Sequence, residues 1–334
     1  MKKQNKSIII SSVILCVLLS LVLTFAIGTN VIAVAETEIG ESVYLGGKAI
    51  GLKLPLGCVE ITGFRTIITK SGNVSPAADA GISIGDKIVE VNGKTVLNNK
   101  HLFEQVEKSD GEIILKIKRG KKELEKTILP AVESGSGEKK IGVFIKDEID
   151  GIGTLTFVTK EGDFGALGHG VSGSENSQNG TVYNVVLTGV QKPKDGTVGE
   201  LDGYISGAKI GTVSLINKYG VYGKIDGMTG NAVKIGGRAS ATIGKASIIC
   251  TIDENGPKEY SVEIVKTEYQ KSPGEKGLVI KITDPRLKEK TGGIVQGMSG
   301  SPIVQNGKLI GAVSHVFVSD PLRGYGVYID WMLQ

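Results

Sequence analysis

The segment QGMSGSPIVQNGKLIGAVSH, residues 296–315, decides how the chain is interpreted. It places Ser299 between Gly297 and Gly300, and glycines let a loop turn so that backbone N–H groups converge on one point. A serine hydroxyl is a weak nucleophile without a base, and the oxyanion formed by its attack needs such donors. The segment therefore predicts a nucleophile loop in which the N–H groups of Gly297 and Ser299 form an oxyanion hole.

The residues around this loop continue the pattern. A nucleophile loop, a strand and a second glycine-rich strand follow one another at residues 297–302, 313–315 and 326–328. In this order they resemble the corresponding segments of chymotrypsin-like serine peptidases, although Ser301 replaces a glycine of that family. By this resemblance, Val313 and Ser314 belong to the strand that binds the substrate backbone.

The base that activates the serine must be a histidine, and the chain has three, His101, His169 and His315. His169 lies in the small-residue segment GALGHG and precedes the serine, as in the chymotrypsin-like order. His315 is the competing candidate, but it lies in the predicted substrate strand. The sequence therefore favours His169 as the general base.

A third residue should accept the second N–H of the histidine, fix its tautomer and stabilise the imidazolium. Five aspartates, Asp195, Asp202, Asp226, Asp253 and Asp284, lie between the histidine and the serine, and the geometry of the chymotrypsin-like family favours one near the middle. Asp226 lies near the middle of the interval, whereas Asp284 lies in a Thr-Asp-Pro sequence, where an aspartate also commonly starts a turn. Mechanism alone does not choose between them.

Residues 43–129 predict a separate α+β domain. The stretch SPAADAGISIGDKIVEVNGKTV, residues 75–96, combines a short helix after a proline, a glycine that ends it and an Asn-Gly hairpin signal. This ordered stretch resembles the centre of PDZ domains. PDZ domains bind peptides by adding them as a strand to an exposed sheet edge.

The PDZ resemblance also indicates where a peptide would bind. The loop before the edge strand is expected at residues 49–52, where the backbone N–H groups of Ile50, Gly51 and Leu52 would hold a carboxylate. This loop departs from the usual glycine–hydrophobic–glycine pattern.

A second helix of this domain is predicted at residues 99–108. Its pattern predicts that Leu102, Phe103 and Val106 are buried. His101, on the same helix, is either a groove residue or an ordinary solvated one.

Residues 130–140 are small and polar and predict a linker to a second domain at residues 141–334. That domain contains short strands separated by glycines, which predicts an antiparallel barrel or sandwich. Its clearest predicted strands are residues 153–158, 182–187, 211–216, 246–252 and 260–265.

The first 35 residues predict a membrane anchor. Lys2, Lys3 and Lys6 precede an uncharged run at residues 8–27, which is long enough to cross a bilayer as a helix. Positive charge before the run favours a cytoplasmic N-terminus, with the later domains outside the cytoplasm. The alternative is a signal peptide cleaved after an Ala-Val-Ala sequence that ends at residue 35.

Composition excludes several other classes. The net charge is only +4 and no basic stripe with interleaved aromatics occurs, so nucleic-acid binding is not expected. Three cysteines, Cys16, Cys58 and Cys250, do not make a disulfide framework, and the last two are predicted to be buried thiols. The scattered histidines predict no metal site, and no cofactor is implied.

The whole arrangement resembles the stage IV sporulation protein B family of endospore-forming bacteria. The resemblance is carried by GALGHG, by ITDPRLKEKTGGIVQGMSGSPIVQNGKLIGAVSHVFVSDP and by GYGVYIDWML. It implies a mainly β chain with an N-terminal transmembrane helix, a PDZ domain and a chymotrypsin-like antiparallel β-barrel. It also implies His169, Asp284 and Ser299 as the catalytic residues.

The same resemblance implies a role. Such serine endopeptidases are secreted from the forespore into the space between two membranes, where they cleave themselves. They then cleave a membrane-bound regulator, stage IV sporulation protein FA, which frees an intramembrane metalloprotease to process a sigma-factor precursor. The alternative function is a membrane-tethered PDZ adaptor with an inactive peptidase-like domain.

Overall fold

The structure is a computed structural model that describes residues 42–172, 179–194, 196–227 and 232–334. Strands form most of it. The strands are β1 (Ser42–Leu45), β2 (Ala49–Phe64), β3 (Ile67–Thr69), β4 (Gly72–Val74), β5 (Lys87–Val91), β6 (Lys94–Thr95), β7 (Ile113–Arg119), β8 (Lys122–Ile128), β9 (Ala131–Val132), β10 (Lys139–Lys140), β11 (Val143–Val158), β12 (Asp163–Ala166), β13 (Gly180–Gln191), β14 (Glu200–Asn217), β15 (Gly220–Ile225), β16 (Ala232–Ile235), β17 (Gly244–Cys250), β18 (Lys258–Thr267), β19 (Leu278–Ile282), β20 (Pro302–Gln305), β21 (Lys308–Phe317) and β22 (Asp320–Tyr328). The helices are α1 (Pro76–Asp79), α2 (Asn99–Glu107), α3 (Pro285–Thr291) and α4 (Ile329–Met332), with a 3-10 turn at Arg238–Ser240.

Two long strands organise the chain. Strands β2 and β11 pair antiparallel from Val143 opposite Phe64 to Thr154 opposite Ala49, with two register shifts on the way. One end of this two-stranded ribbon lies in a PDZ-like lobe and the other in a barrel. The two lobes therefore share continuous strands rather than a flexible linker.

The first barrel uses the far end of that ribbon. Among the described residues, β2, β11, β12, β15, β14 and β13 pair in this order, and β13 returns to β2, so six strands close on themselves. Closure leaves no free sheet edge and encloses an apolar core. The core includes Ile50, Leu52, Leu54, Leu155, Val158, Phe164, Val182, Val213 and Val221.

The second barrel is built from the C-terminal strands. Strands β20, β17, β18, β19, β22 and β21 pair in this order, and β21 returns to β20. Strand β1 pairs with β11 and β16, and β16 runs parallel to β21, so these short strands join the two barrels. The predicted antiparallel barrel is present, as two six-stranded barrels.

The PDZ-like lobe surrounds strand β5, which pairs with β2, β6 and β7. Helix α1 is followed, after Ala80, by Gly81, whose φ of 71° is the left-handed conformation that glycine adopts readily. Helix α2 buries Leu102 and Val106, which lie one turn apart. Phe103 is 48% exposed, contrary to the prediction, because it lies about 100° around the helix from Leu102.

The predicted carboxylate loop at residues 49–52 is wrong. These residues lie inside β2, where Gly51 is opposite Ile152 on one side and Tyr183 on the other. Ile50 and Leu52 are buried in the first barrel. Both edges of this part of the strand are already paired, so it cannot accept a peptide as an additional strand.

The boundaries of the predicted domains also differ from the structure. Residues 49–54 belong to the first barrel, although the sequence pattern assigns them to the PDZ domain. The predicted linker contains the paired strands β9 and β10, and Ile141 after them is buried in the PDZ core. The segment therefore folds with the PDZ-like lobe.

The membrane anchor predicted at residues 1–35 lies outside the described residues. Within the described ranges, no helix combines the length and apolar character needed to span a bilayer. Cys58 and Cys250 are buried free thiols, as predicted. Burial raises the pKa of both thiols, which makes them poor nucleophiles.

Candidate active site

Ser299 lies in the loop between helix α3 and strand β20, and its glycines are required by the backbone. Gly297 and Gly300 have φ angles of 94° and 95°, a region that other residues rarely adopt. A Cβ added at Gly300 would lie 2.0 Å from the carbonyl oxygen of Thr154. The loop can therefore pack this closely against β11 only with glycine at position 300.

The N–H groups of the loop divide into two sets. Those of Met298, Gly300 and Ser301 donate to backbone carbonyls at 2.8–3.1 Å. Within the described chain, the N–H groups of Gly297 and Ser299 have no hydrogen-bond acceptor. These two groups are the predicted oxyanion-hole donors, and both are free to bind a substrate oxygen.

Ser301, the departure from the chymotrypsin-like pattern, has a structural explanation. Its side chain is fully buried, and its hydroxyl donates to the carbonyl of Met298 at 2.6 Å. Its N–H donates to the same carbonyl at 3.0 Å. Ser301 therefore closes the turn that presents Ser299 and faces away from solvent.

The hydroxyl of Ser299 donates to the carbonyl of Ser314, 3.2 Å away on strand β21. Of the two predicted substrate-strand residues, Ser314 lies beside the nucleophile. Val313 is fully buried, and its carbonyl accepts from the N–H of Gly300, so its backbone supports the loop. The part of the strand that lines the cavity runs from Ser314 to Val316.

His169 follows strand β12 of the first barrel after an abrupt turn. Leu167 has a φ of 71°, and the N–H of Gly168 donates to the carbonyl of Ala166 at 3.0 Å. This is a γ-turn centred on a leucine, a conformation that carries backbone strain. The turn directs His169 from the first barrel towards the serine loop of the second.

The contacts of His169 assign its tautomer. Nδ1 lies 2.7 Å from the carbonyl oxygen of Gly170. A carbonyl can only accept, so Nδ1 carries a proton, and in the neutral ring Nε2 then holds the lone pair. Gly170 thus supplies the orienting contact that a carboxylate provides in a Ser-His-Asp triad.

The second histidine of the site, His315, lies beside the first. The two ring centroids are 5.1 Å apart. His315 Nδ1 is buried and has no hydrogen-bond partner among the described residues. Burial lowers the pKa of His315, and the nearby His169 lowers it further, so the neutral ring is favoured.

His169 and Ser299 line one cavity of about 460 Å³ between the two barrels. Apart from these two residues and His315, its walls are largely aliphatic, and no Asp, Glu, Lys or Arg is among the described residues that form them. The aliphatic lining consists of Leu52, Leu54, Ile149, Ile152, Leu167, Val171, Val198, Ile294, Val295 and Val316.

Asp284 lies outside this cavity, at the N-cap of helix α3. Its carboxylate is buried and accepts the backbone N–H groups of Arg286 and Ser261. The Arg286 guanidinium adds two further bonds of 3.0 and 2.7 Å. Hydrogen bonding to Arg286 outweighs burial and holds the pKa of Asp284 at about 2.

The structure thus brings together His169 and Ser299 of the three residues implied by the resemblance. Asp226, the other candidate, is exposed in the turn after β15. The catalytic role of Asp284 stays a prediction.

The sequence that contains this site matches a known family of serine peptidases. Residues 137–333 match the family SpoIVB peptidase S55, and residues 68–119 match a PDZ domain. The first match covers more than half of the chain. The chain belongs to the SpoIVB peptidase S55 family. The family resemblance and the predicted class, a PDZ-containing serine peptidase, are confirmed.

This S55 chain also has distant likenesses among solved structures. The HtrA-type protease AlgW, bound to a decapeptide, is 15% identical over 60% of this chain and 53% of its own, with a TM-score of 0.35. The Rv3671c protease, in an inactive form, is 14% identical over 55% of this chain and 81% of its own, with a TM-score of 0.32. The chain therefore spans about half the length of AlgW.

In the PDZ-like lobe of this S55 chain, residues 139–147 lie beside helix α2, and the predicted residues 49–52 do not. The N–H of Asn99, at the start of the helix, donates to the Asp147 carboxylate at 2.7 Å. The N–H of Lys139 donates to Glu107, at the end of the helix, at 2.9 Å. Residues 139–147 therefore run antiparallel to the helix. The signal that could have indicated this segment is its Ile-Gly-Val sequence at residues 141–143.

Proposed function

We propose that this chain is a serine endopeptidase in which Ser299 is the nucleophile and His169 the general base. One observation carries the proposal. Two side chains from different barrels, 130 positions apart in the sequence, line the same cavity, and the free N–H groups of Gly297 and Ser299 lie in the nucleophile loop itself. A purely structural loop would have no need to leave these two donors unpaired.

The residues support a two-stage reaction. Ser299 Oγ attacks the scissile carbonyl carbon while His169 Nε2 takes the hydroxyl proton, and the N–H groups of Gly297 and Ser299 bind the oxyanion. His169 then donates this proton to the leaving amine as the peptide C–N bond breaks. Water hydrolyses the resulting ester by the same steps in reverse, which restores the serine hydroxyl.

For the first step, the Ser299 hydroxyl must turn from the carbonyl of Ser314 towards His169. Serine side chains change rotamer readily, and catalytic hydrogen bonds often form only when substrate is bound. A substrate N–H that binds the Ser314 carbonyl would displace the hydroxyl from it. Substrate binding and activation of the serine are thereby linked.

The lining of the cavity supports a preference for an aliphatic side chain next to the cleaved bond. Burial of such a side chain against these walls is favourable, whereas a charged one would lose its hydration without a partner. Gly293, at the position where trypsin-like enzymes have their acidic selectivity residue, supplies no charge. The substrate is thus a protein segment with Leu, Ile, Val or Met at this position.

The family supports a role in sporulation signalling. In this role the enzyme acts outside the cytoplasm, held by its N-terminal segment at the forespore membrane, and cleaves itself. Its second substrate is a membrane-bound regulator such as stage IV sporulation protein FA, whose cleavage triggers processing of a sigma-factor precursor. The PDZ-like lobe binds a peptide segment of a substrate or partner.

The test compares the full chain, kept in mild detergent, with Ser299→Ala and His169→Ala. Each protein is incubated alone and with a serine-reactive fluorophosphonate, and self-cleavage and labelling are followed on gels. The wild type should show both signals, and both variants should lose them. Circular dichroism of the three proteins controls for folding.

Two results would overturn the proposal. A folded wild type that is neither labelled nor cleaved, even with aliphatic peptides present, would favour the PDZ adaptor. Labelling that persists in Ser299→Ala would show that another residue is the nucleophile.

A further inference from the structure

Two threonines on strand β11 contact the nucleophile loop. Over its last six residues, Gly153–Val158, this strand is buried on both faces. Thr154 and Thr156 lie there and are fully inaccessible to solvent. A buried hydroxyl needs a partner, and valine would fill the same space without that need.

Both hydroxyls donate to carbonyls of the nucleophile loop. Thr154 Oγ1 binds the oxygen of Gly297, and Thr156 Oγ1 binds that of Gly300, each at 2.7 Å. The backbone N–H of Thr154 also donates to the carbonyl of Ser299 at 2.9 Å. Three carbonyls of the loop are therefore held by two residues of one strand.

The held carbonyls fix the backbone on both sides of the free Ser299 N–H. The peptide unit that carries the Ser299 N–H lies between the units that carry the carbonyls of Gly297 and Ser299. Fixed neighbours hold the two Cα atoms that anchor this unit, and the carbonyl of Met298, on the unit itself, accepts from Ser301. Loss of the bonds to Thr154 would therefore let the segment that carries the Ser299 N–H shift relative to the site.

Thr154 also connects the serine loop to the histidine turn. Its carbonyl oxygen accepts the N–H of Leu167 at 3.2 Å, at the centre of the γ-turn that presents His169. The two halves of the site come from different barrels, and this residue hydrogen-bonds to both.

We propose that Thr154 and Thr156 are positioning residues that hold the oxyanion hole of the proposed peptidase in its active shape. The inference rests on the proposed function. Neither threonine touches the reacting atoms, so both act through the orientation of Gly297, Ser299 and Gly300. Catalysis gains from donors fixed in advance because they need no reorganisation as charge develops.

The test uses four variants of the full chain. Thr154→Val and Thr156→Val remove a hydroxyl but keep the shape of the side chain, and Thr154→Ser restores the hydroxyl. Thr251→Val is the matched control, because this buried threonine donates to the carbonyl of Gly47, outside the nucleophile loop. Melting temperature, fluorophosphonate labelling rate, kcat and KM for an aliphatic peptide are measured for each.

The proposal predicts that loss of a threonine hydroxyl lowers kcat and the labelling rate but changes KM little. Thr154→Val should lower kcat and the labelling rate roughly 10- to 100-fold, less than the loss of a whole oxyanion donor, with KM changed less than about threefold. Thr156→Val should show the same pattern with a smaller fall. Thr154→Ser should recover to within about threefold of the wild type. The melting temperature of Thr251→Val should fall about as much as that of Thr154→Val, while its kcat stays unchanged.

The outcomes separate this inference from the proposed function. If the wild type is active and Thr154→Val keeps its kcat while it melts earlier, the threonine is only structural and the inference is wrong. The inference is also wrong if Thr251→Val loses kcat as strongly as Thr154→Val does. A wild type that is inactive in every assay would instead overturn the proposed function.

Discussion

The two sides of the candidate site are built differently. On the serine side, the carbonyls of Gly297, Ser299 and Gly300 are all held by β11. On the histidine side, a strained turn presents His169, and its ring is oriented by the carbonyl of the next residue. The serine loop is held by side-chain and backbone bonds from another strand, whereas the ring of His169 is oriented by a local contact.

This difference matches the demands of the two chemical roles. An oxyanion hole stabilises developing charge only if its donors already point at the oxygen, so its loop must be rigid. A general base needs to reach hydrogen-bond distance only when substrate is bound, and apo structures often show longer contacts. The buried hydrogen bonds of Thr154 and Thr156 thus lie where the geometry must be fixed in advance.

The largest effect is expected for Gly300→Ala, a substitution in the nucleophile loop itself. The new Cβ would meet the backbone of Thr154 at 2.0 Å, and the φ of 95° is unfavourable for alanine. Activity should fall by at least about 10³-fold, with a loss of unfolding free energy of roughly 3 kcal/mol or more.

Gly307→Ala provides the matched control for this loss. Gly307 also has a positive φ, of 73°, but its added Cβ would meet open space. It should lose only about 1 kcal/mol of stability and keep its activity. Equal activities of the two variants would show that the serine loop is not held as rigidly as the contacts indicate. Thermal melts and peptide hydrolysis provide both readouts.

The next largest effect is expected for Val316→Asp, which tests whether the cavity determines which substrate side chain is preferred. Val316→Asp places a carboxylate on the cavity wall. Peptides with lysine at the position next to the cleaved bond should gain relative to peptides with leucine, by roughly 10- to 100-fold in kcat/KM. Val318→Asp is the control, since Val318 is 51% exposed and lies outside the cavity lining. An unchanged preference in Val316→Asp would mean that the substrate side chain binds elsewhere.

A smaller effect is expected for Asp284→Asn, which tests whether Asp284 is the acidic partner of His169. The contacts of Asp284 predict a loss of roughly 2 kcal/mol, because the ion pair with Arg286 is removed. The pKa of Asp284, about 2, lies below the ordinary value of about 3.9. The stabilisation is therefore complete above about pH 4 and is lost as the pH falls towards 2.

Denaturant unfolding at several pH values measures this difference between wild type and Asp284→Asn. The difference should shrink on acidification, and activity per folded molecule should fall less than about tenfold. A stable variant with a loss of about 10⁴-fold in kcat would instead support Asp284 as the acid of a triad.

Much of this architecture could be predicted from local sequence. The nucleophile loop follows from glycines that need positive φ angles. Strand β7 follows from Ile113, Leu115 and Ile117, which are buried on one face and alternate with exposed or half-buried residues. The predicted turn at Asn92-Gly93 is present, with φ angles of 50° and 73°. Such patterns can be recognised because the residues that decide them are close together in the sequence.

The errors in the PDZ-like lobe concern long-range pairing. The carboxylate loop is predicted at residues 49–52 because that segment precedes the PDZ-like stretch in the sequence. In the structure, β2 instead pairs with β11, a strand much later in the chain, and residues 139–147 lie beside helix α2. Strand pairing across such a distance leaves no local signal. The contact of the Asp284 carboxylate with Ser261 depends on tertiary packing in the same way.

The smallest effect on activity is expected for His315→Phe, which asks whether His169 alone supplies the base. Labelling by the fluorophosphonate should stay within about threefold of the wild type, whereas His169→Phe should abolish it. The two substitutions remove neighbouring rings of the same cavity, so each serves as the control for the other.

The pH dependence of the same two variants distinguishes the histidines further. Since burial and His169 lower the pKa of His315, the folded state resists protonation there. The wild type should therefore lose stability as the pH falls below about 6.5, and His315→Phe should lose less. The acid limb of the pH–rate profile should remain in His315→Phe, because His169 must still be neutral to accept the serine proton. If this limb disappears with His315, the histidine on the substrate strand is the base, and the locally held ring of His169 has another role.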